Sequence, residues 1–268
     1  FIESPGYFDI VKYNGTSDNS DETQTVPHNL QSVPGCMIIK RMNDSEDWAV
    51  YHQAVTDPAK SVGKLNTTDA FFTGDGVKNW GQTLPTSTEF TVNGDTMTGR
   101  TGNEYIAYLF ADTPSLIKCG AYETLNTNFA SQTIDVGFEP QWLMVKNAES
   151  TGSWYLWDAK RSGVYLVLDD TSGNAPGEVT FGPNSFTYPT NSPISGNSET
   201  FIYVAIAAPV VRSLTEAEFA QQRLNFETYK NRKEVKCGED ALAARQALID
   251  RLREQGYTDA EIDAELGI

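Results

Sequence analysis

Pro34-Gly35-Cys36-Met37-Ile38-Ile39-Lys40, followed after a spacer by Trp48-Ala49-Val50-Tyr51-His52, is answered further on by Pro140-Gln141-Trp142-Leu143-Met144-Val145-Lys146 and Trp154-Tyr155-Leu156-Trp157-Asp158. The blocks align without a gap at a constant offset of 106 residues. Upstream, Gln24-Thr25-Val26 matches Gln132-Thr133-Ile134. Downstream, Glu89-Phe90-Thr91 and Tyr105-Ile106-Ala107-Tyr108-Leu109-Phe110-Ala111 match Ser185-Phe186-Thr187 and Phe201-Ile202-Tyr203-Val204-Ala205-Ile206-Ala207, both at an offset of 96. The same order of apolar strand, lysine, polar turn, tryptophan strand, Phe-Thr and aromatic strand in both blocks predicts an internal duplication. The offset falls by ten because the segment after His52 is longer than its counterpart after Asp158. That extra length lies within Gln53 to Gln82, where glycine and polar residues surround Leu65 and Phe71-Phe72, and it predicts a long loop.

Each copy reads as short strands bounded by turn signals such as Tyr13-Asn14-Gly15, Val92-Asn93-Gly94-Asp95 and Gly182-Pro183-Asn184. Strands without helices between them form antiparallel sheets packed face to face. The expected fold is therefore mainly β: two duplicated antiparallel β-sandwich-like halves, residues 1–114 and 115–212, followed by a small α-helical C-terminal tail, residues 213–268. Separate beads and one pseudo-symmetric body are equally compatible with the pattern.

The tail begins where Ser213-Leu214-Thr215-Glu216 opens a stretch rich in Ala, Glu, Gln, Arg and Leu, with Ser213 and Glu216, or Thr215 and Glu218, spaced as reciprocal helix caps. Phe219, Phe226 and Tyr229 fall near one helical face, and Leu242, Ile249 and Leu252 form a second stripe after Cys237-Gly238. Thr258 and Glu261 form a capping box with Tyr257 and Ile262 as a hydrophobic staple, which predicts a last helix over Thr258 to Leu266. Three such helices make a poor independent core, so these apolar residues are the candidate assembly surface, with a homotrimer the favoured way to cover it.

With 36 acids against 20 bases, the chain lacks the clustered cations that a phosphate backbone requires, and nucleic acid is not an expected partner. Cys36, Cys119 and Cys237 lie far apart, outside any zinc or disulfide framework. The longest apolar runs fall well short of the roughly 20 residues that span a bilayer, and no signal peptide is visible, so membrane insertion is not expected. The start at Phe1, just before a strand, suggests the C-terminal portion of a longer protein.

Phe8-Asp9-Ile10-Val11-Lys12-Tyr13-Asn14-Gly15, the Val33 to Arg41 strand with Trp48 to His52, and Leu65-Asn66-Thr67-Thr68-Asp69-Ala70 resemble a repeat family of structural and tail-fibre proteins of marine and cyanobacterial bacteriophages, a domain of unknown function. Val136-Gly137-Phe138-Glu139-Pro140-Gln141-Trp142 and Ser153 to Asp158 extend the resemblance to about residues 6 to 208. Such proteins resemble lectin-like fibres and often carry a laminin-G-like or concanavalin-like sandwich upstream. The resemblance implies a virion component, made in the host cytoplasm and partnered by other virion proteins, and suggests contact with a host-surface glycan. It supplies no catalytic residues.

Two histidines limit the chemistry further. His28 reads as a turn residue and His52 as a strand end, neither with a partner at metal spacing, and no metalloprotease or serine-hydrolase motif occurs. Gly74-Asp75-Gly76-Val77-Lys78 lacks the Gly-Lys-Ser/Thr ending of a phosphate loop. Asp44, Glu46, Asp47, Asp158, Asp169 and Asp170 are the acids available to a glycosidase, and with Asp18, Asp21 and Glu22 to Ca²⁺, but they lie mostly in polar turns and lack a calcium-loop spacing. No catalytic residue, metal ligand or cofactor is expected. The aromatics say more: on a strand, Trp48 and Tyr51, like Trp154 and Trp157, point to opposite faces, so one of each pair needs a cover other than the first core. That cover is a loop or the other half, or else the ring is a sugar-stacking platform. Tyr51, Trp157 and Trp80, the last in a Gly-flanked loop, are the candidate glycan residues. The expected function is thus a non-enzymatic tail-fibre or tail-appendage protein, with a carbohydrate-binding module as the alternative and a polysaccharide depolymerase as a second.

Overall fold

Alternation within each strand builds the architecture of the computed structural model, which describes residues 4–125, 129–161, 163–170, 174–176, 178–207, 246, 248–253 and 256–266. The first six-stranded sheet runs in the order β1 (Phe8–Asn14), β8 (Glu104–Ala111), β3 (Pro34–Arg41), β4 (Ala49–His52), β5 (Ser61–Lys64) and β6 (Phe72–Thr73). The second, read from its β9 edge, runs β9 (Ile117–Glu123), β17 (Thr200–Ala207), β11 (Pro140–Asn147), β12 (Trp154–Asp158), β13 (Val164–Val167) and β14 (Asn174–Pro176). Position for position, the two orders are the same. So are the registers: Cys36 faces Phe110 and Trp142 faces Ile206, each just past a register shift that follows a proline, Pro34 or Pro140. A small ribbon of β2 (Thr23–Pro27) and β7 (Glu89–Asn93) accompanies the first sheet. Its counterpart has three strands, β10 (Gln132–Asp135), β16 (Ser185–Tyr188) and β15 (Thr180–Phe181), the last two joined by a turn in which Gly182 N–H donates to the Ser185 carbonyl at 2.8 Å.

Both broad sheets are covered on both faces, which is why β8 and β17 read as nearly unbroken apolar runs instead of alternating ones. In the first sheet, Met37, Ile39, Tyr51, Tyr105, Ala107 and Leu109 pack outward with Val26, Phe90 and Val92 of the ribbon. In the second, Leu143, Val145, Trp157, Phe201, Tyr203 and Ala205 pack outward with Ile134, Phe186 and Tyr188. The opposite faces meet in one central core, to which the first sheet brings Phe8, Cys36, Ile38, Val50 and Phe110 and the second Cys119, Met144, Trp154, Ile202 and Val204. Four layers result, in which each broad sheet is sandwiched between its own ribbon and the other sheet. Of the two arrangements left open by the sequence, residues 4–207 form the single packed body, and one compact unit spans Phe1–Ala208.

The extra residues after His52 are more than a bare loop. The segment holds a 3-10 turn, Pro58–Lys60, then β5 and β6, the positional matches of β13 and β14, and between those strands the chain crosses to the second half. Thr68 accepts a bond from Gly152 N–H at 2.8 Å, Phe71 N–H donates to the Ala148 carbonyl at 3.0 Å, and the Lys64 carbonyl accepts Trp154 Nε1–H at 2.8 Å. The Phe71 ring lies against the Trp154 ring, centroids 6.1 Å apart. Gly63 makes this possible, because a Cβ there would stand 2.5 Å from Phe71 Cζ. The segment is a strap that fixes how the halves meet.

The second compact unit spans Pro209–Ile268. Within it, residues 248–253 are helical and a helix runs Asp259–Leu266. The capping box forms as the sequence predicts: Thr258 N–H and Oγ1 both donate to Glu261 Oε2, at 2.9 and 2.6 Å, and Glu261 N–H donates to Thr258 Oγ1 at 3.4 Å. Leu252 and Ile262 are buried together, flanked by Leu248, Ile249 and Tyr257. Thr258→Ala should therefore destabilise this helix start by about 1 kcal/mol, read as roughly fivefold faster amide exchange at Glu261 and Ile262. Phe219, Phe226, Tyr229 and Leu242 lie outside the described residues, as does Cys237.

Candidate functional site

The three aromatic residues expected to meet sugar are core residues, and the expectation is corrected here. Trp80 is fully buried, its Nε1–H donated to the Ser61 carbonyl at 2.7 Å and its ring edge-on to Tyr51 at 5.6 Å. Tyr51 is 2% exposed beneath the first ribbon and Trp157 4% exposed beneath the second. None offers a ring face to solvent, and a sugar platform needs one. The opposite-face argument itself holds, since Trp154 is buried in the central core and Trp48 packs against it, while Tyr51 and Trp157 serve the outer cores. The other sheet covers one ring of each pair, and a ribbon covers the other.

Both histidines are structural. His28 is buried, its Nδ1 accepts Leu30 N–H at 3.2 Å, and its Nε2 lies 3.2 Å from the Thr86 carbonyl. His52 repeats the pattern across the halves: Nδ1 accepts Ala54 N–H at 3.2 Å and Nε2 lies 3.1 Å from the Tyr203 carbonyl. A carbonyl can only accept, so each ring is the Nε2–H tautomer. Burial pulls the His52 pKa from 6.5 to about 4, against the opposing pull of the Tyr203 carbonyl and of Asp112. Burial lowers that of His28 as well.

The acids are largely engaged. Asp44 pairs with Arg41 at 3.2 Å, and Asp47 pairs with Lys64 at 2.8 Å while accepting Asn66 Nδ2–H at 2.8 Å. Asp21 pairs with Lys78, and Glu22 accepts the Asp18 backbone N–H at 2.7 Å, so an ammonium already stands beside the acids considered for Ca²⁺. Asp169 Oδ1 accepts Trp154 N–H at 3.1 Å, as Asn66 Oδ1 accepts Trp48 N–H at 2.9 Å. Asp169 Oδ2 is buried without a hydrogen bond. Lys146 is buried and burial lowers its pKa to about 8, although Asp169 and Asp69 act to raise it. Its Nζ donates to the Asn147 carbonyl at 2.8 Å, just as Lys40 Nζ donates to the Arg41 carbonyl at 2.7 Å. A role repeated at the same place in both sheets is a strand-end tie.

One surface feature has the makings of a ligand site. Gln141, Trp142, Asp158, Ala159, Lys160 and Ile206 line a shallow depression of about 220 Å³ where β11 begins and β12 and β17 end. Trp142 is partly buried on the central core, while Lys160 is exposed. Asp158 is desolvated, which raises its pKa, but Arg161 Nε–H at 2.5 Å and the N–H groups of Lys160 and Arg161 outweigh this and hold it low. Trp142 belongs to the aligned strand block, yet nothing in strand alternation separates it from Met144, which is fully covered. The signal was its size: it stands at the register position where the first sheet has Cys36.

A family model described as "Domain of unknown function (DUF7483)" matches residues 3–209. The chain belongs to this family. No curated protein and no solved structure matches it. The DUF7483 domain takes in all seventeen strands of the described residues and ends two residues past β17, so the helical residues 248–253 and 259–266 lie beyond it. The depression at Trp142 and the strap from Lys64 to Phe71 both belong to the domain.

Proposed function

We propose that the chain is a non-catalytic structural component of a bacteriophage particle, part of a tail fibre or another tail appendage, built on two copies of one β module. The observation that carries the duplication is the shared strand order and register of the two broad sheets, down to the shift after Pro34 and Pro140. A non-catalytic role is supported by the engagement of the histidines, the buried lysine and most of the candidate acids in structural bonds, His52 tying the first sheet to the Tyr203 carbonyl of the second and the others holding their own half. Placement in a particle rests on the sequence resemblance described above. Assembly would involve the residues 213–268, through other virion proteins or a trimer of this chain. Mass spectrometry of purified particles tests the first part: absence of the chain rejects it. Removing residues 213–268 should lower the mass seen by light scattering or abolish incorporation, and reducing-end release from host polysaccharide by the purified protein would overturn the non-catalytic reading. A second reading, contact with a host-surface glycan, is favoured by one observation, the Trp142 depression.

A further inference from the structure

The depression is the second half's version of a place that the first half has closed. By strand register, Gln141, Trp142, Asp158, Ala159, Lys160 and Ile206 stand where the first sheet has Gly35, Cys36, His52, Gln53, Ala54 and Phe110. The latter lie against the other half, with Gly35, Cys36, His52 and Phe110 buried and Gln53 and Ala54 partly buried. A Cβ on Gly35 would stand 2.8 Å from Cys119 Cβ, and Gln53 Nε2–H donates to the Cys119 carbonyl and to Asp112 Oδ2, both at 2.8 Å. His52 reaches the Tyr203 carbonyl, and Cys36, Ala54 and Phe110 pack in the central core. The sheets therefore meet off-centre, and the same six positions that form a seam in one half form an open hollow in the other.

The residues at the open positions differ in kind from those at the closed ones. A thiol has become an indole, a buried imidazole a carboxylate held by Arg161, and a methyl group the exposed ammonium of Lys160. We propose that this hollow is a binding subsite for one carboxylated pyranose unit of an acidic polysaccharide, an inference that rests on the glycan-contact reading. At about 220 Å³ the hollow is smaller than the roughly 300 Å³ at which pockets for drug-sized ligands begin, which suits a single ring. The indole of Trp142 supplies the apolar surface on which the C–H face of a pyranose packs. Lys160 supplies the cation for its carboxylate, in a protein whose net charge of −16 otherwise repels acidic polymers. The lining contains one carboxylate, Asp158, whereas glycoside hydrolysis uses a pair, so the site binds without cleaving.

The test is an NMR titration of the full chain with a galacturonic-acid trisaccharide and, in parallel, a neutral galactose trisaccharide. The acidic trisaccharide should shift the Trp142 indole N–H and the amides of Ala159 and Lys160, with a dissociation constant on the order of 1 mM. Trp142→Ala should weaken binding at least tenfold and Lys160→Glu at least threefold, and raised salt should weaken it further. Lys160→Glu lies on the surface and keeps the fold, so the site stays testable if Trp142→Ala unfolds. Equal binding of both sugars overturns the carboxylate assignment. Binding that shifts residues elsewhere and survives both substitutions overturns this site and leaves the glycan-contact reading standing. Absence of shifts with either sugar overturns the site, and a wider glycan panel on the same protein then decides the contact reading separately.

Discussion

Trp154→Ala should cost about 3–5 kcal/mol of stability, a large part of the roughly 5–15 kcal/mol that a domain has. Trp154 is 2% exposed in the core shared by both sheets, where its ring meets Phe71 of the strap. Its removal leaves a cavity that two rigid sheets cannot close, and the surrounding contacts lose partners on one side. The substitution also strands the Lys64 carbonyl, which accepts the indole N–H at 2.8 Å, adding about 1 kcal/mol or more. Trp154→Phe keeps most of the packing and loses that bond, so it should fall between the two. Urea unfolding measures all three proteins. Because the core belongs to both halves, loss should appear as a lower midpoint of one transition, and a variant in which the second half unfolds alone while the first stays intact would contradict a shared core.

Much of this architecture was legible because it depends on local periodicity. The aligned blocks from Pro34 to His52 and Pro140 to Asp158 announced matching strands, and spacing alone placed Trp154 and Trp157 on opposite faces. The helix start at Thr258 was legible for the same reason, since a capping box is closed within four residues. What could not be read depends on partners far along the chain. Trp80 sits among glycines and polar residues, a setting that suggests exposure, yet its indole finds the Ser61 carbonyl and the Tyr51 ring. The offset between the sheets arises where Phe71 fits over Gly63 and reaches Trp154, a steric match with no signature in either residue's neighbourhood. Trp142 inherits its partial exposure from that offset. Its place in the strand was readable, and its uncovered edge was not.

Acid should weaken the fold by about 3 kcal/mol between pH 6.5 and pH 4 through His52 alone. The folded protein holds this imidazole neutral, with burial lowering its pKa from 6.5 to about 4, whereas the unfolded chain protonates it near 6.5. The unfolded state therefore binds more protons in that window, and stability is full above pH 6.5 and declines as pH falls toward 4. Geometry explains why the native state resists the proton. Nδ1 is occupied in accepting Ala54 N–H, so a second ring proton would break that bond, and Asp112, the acid that acts on the ring, offsets only part of the burial penalty. His28, lowered by burial too, adds a loss of the same sign. The carboxylate of Asp47, held low mainly by Lys64, contributes in the opposite part of the range, its stabilisation disappearing only below the usual carboxylate pKa of about 4. His52→Gln separates these terms. It should be less stable than the parent at pH 7, because the bond to Tyr203 across the halves is weakened, and its stability should change less with pH between 6.5 and 4. Denaturant titrations at pH 7, 6, 5 and 4 provide the comparison, and equal slopes for parent and variant would mean that the junction of the two halves carries no acid sensitivity.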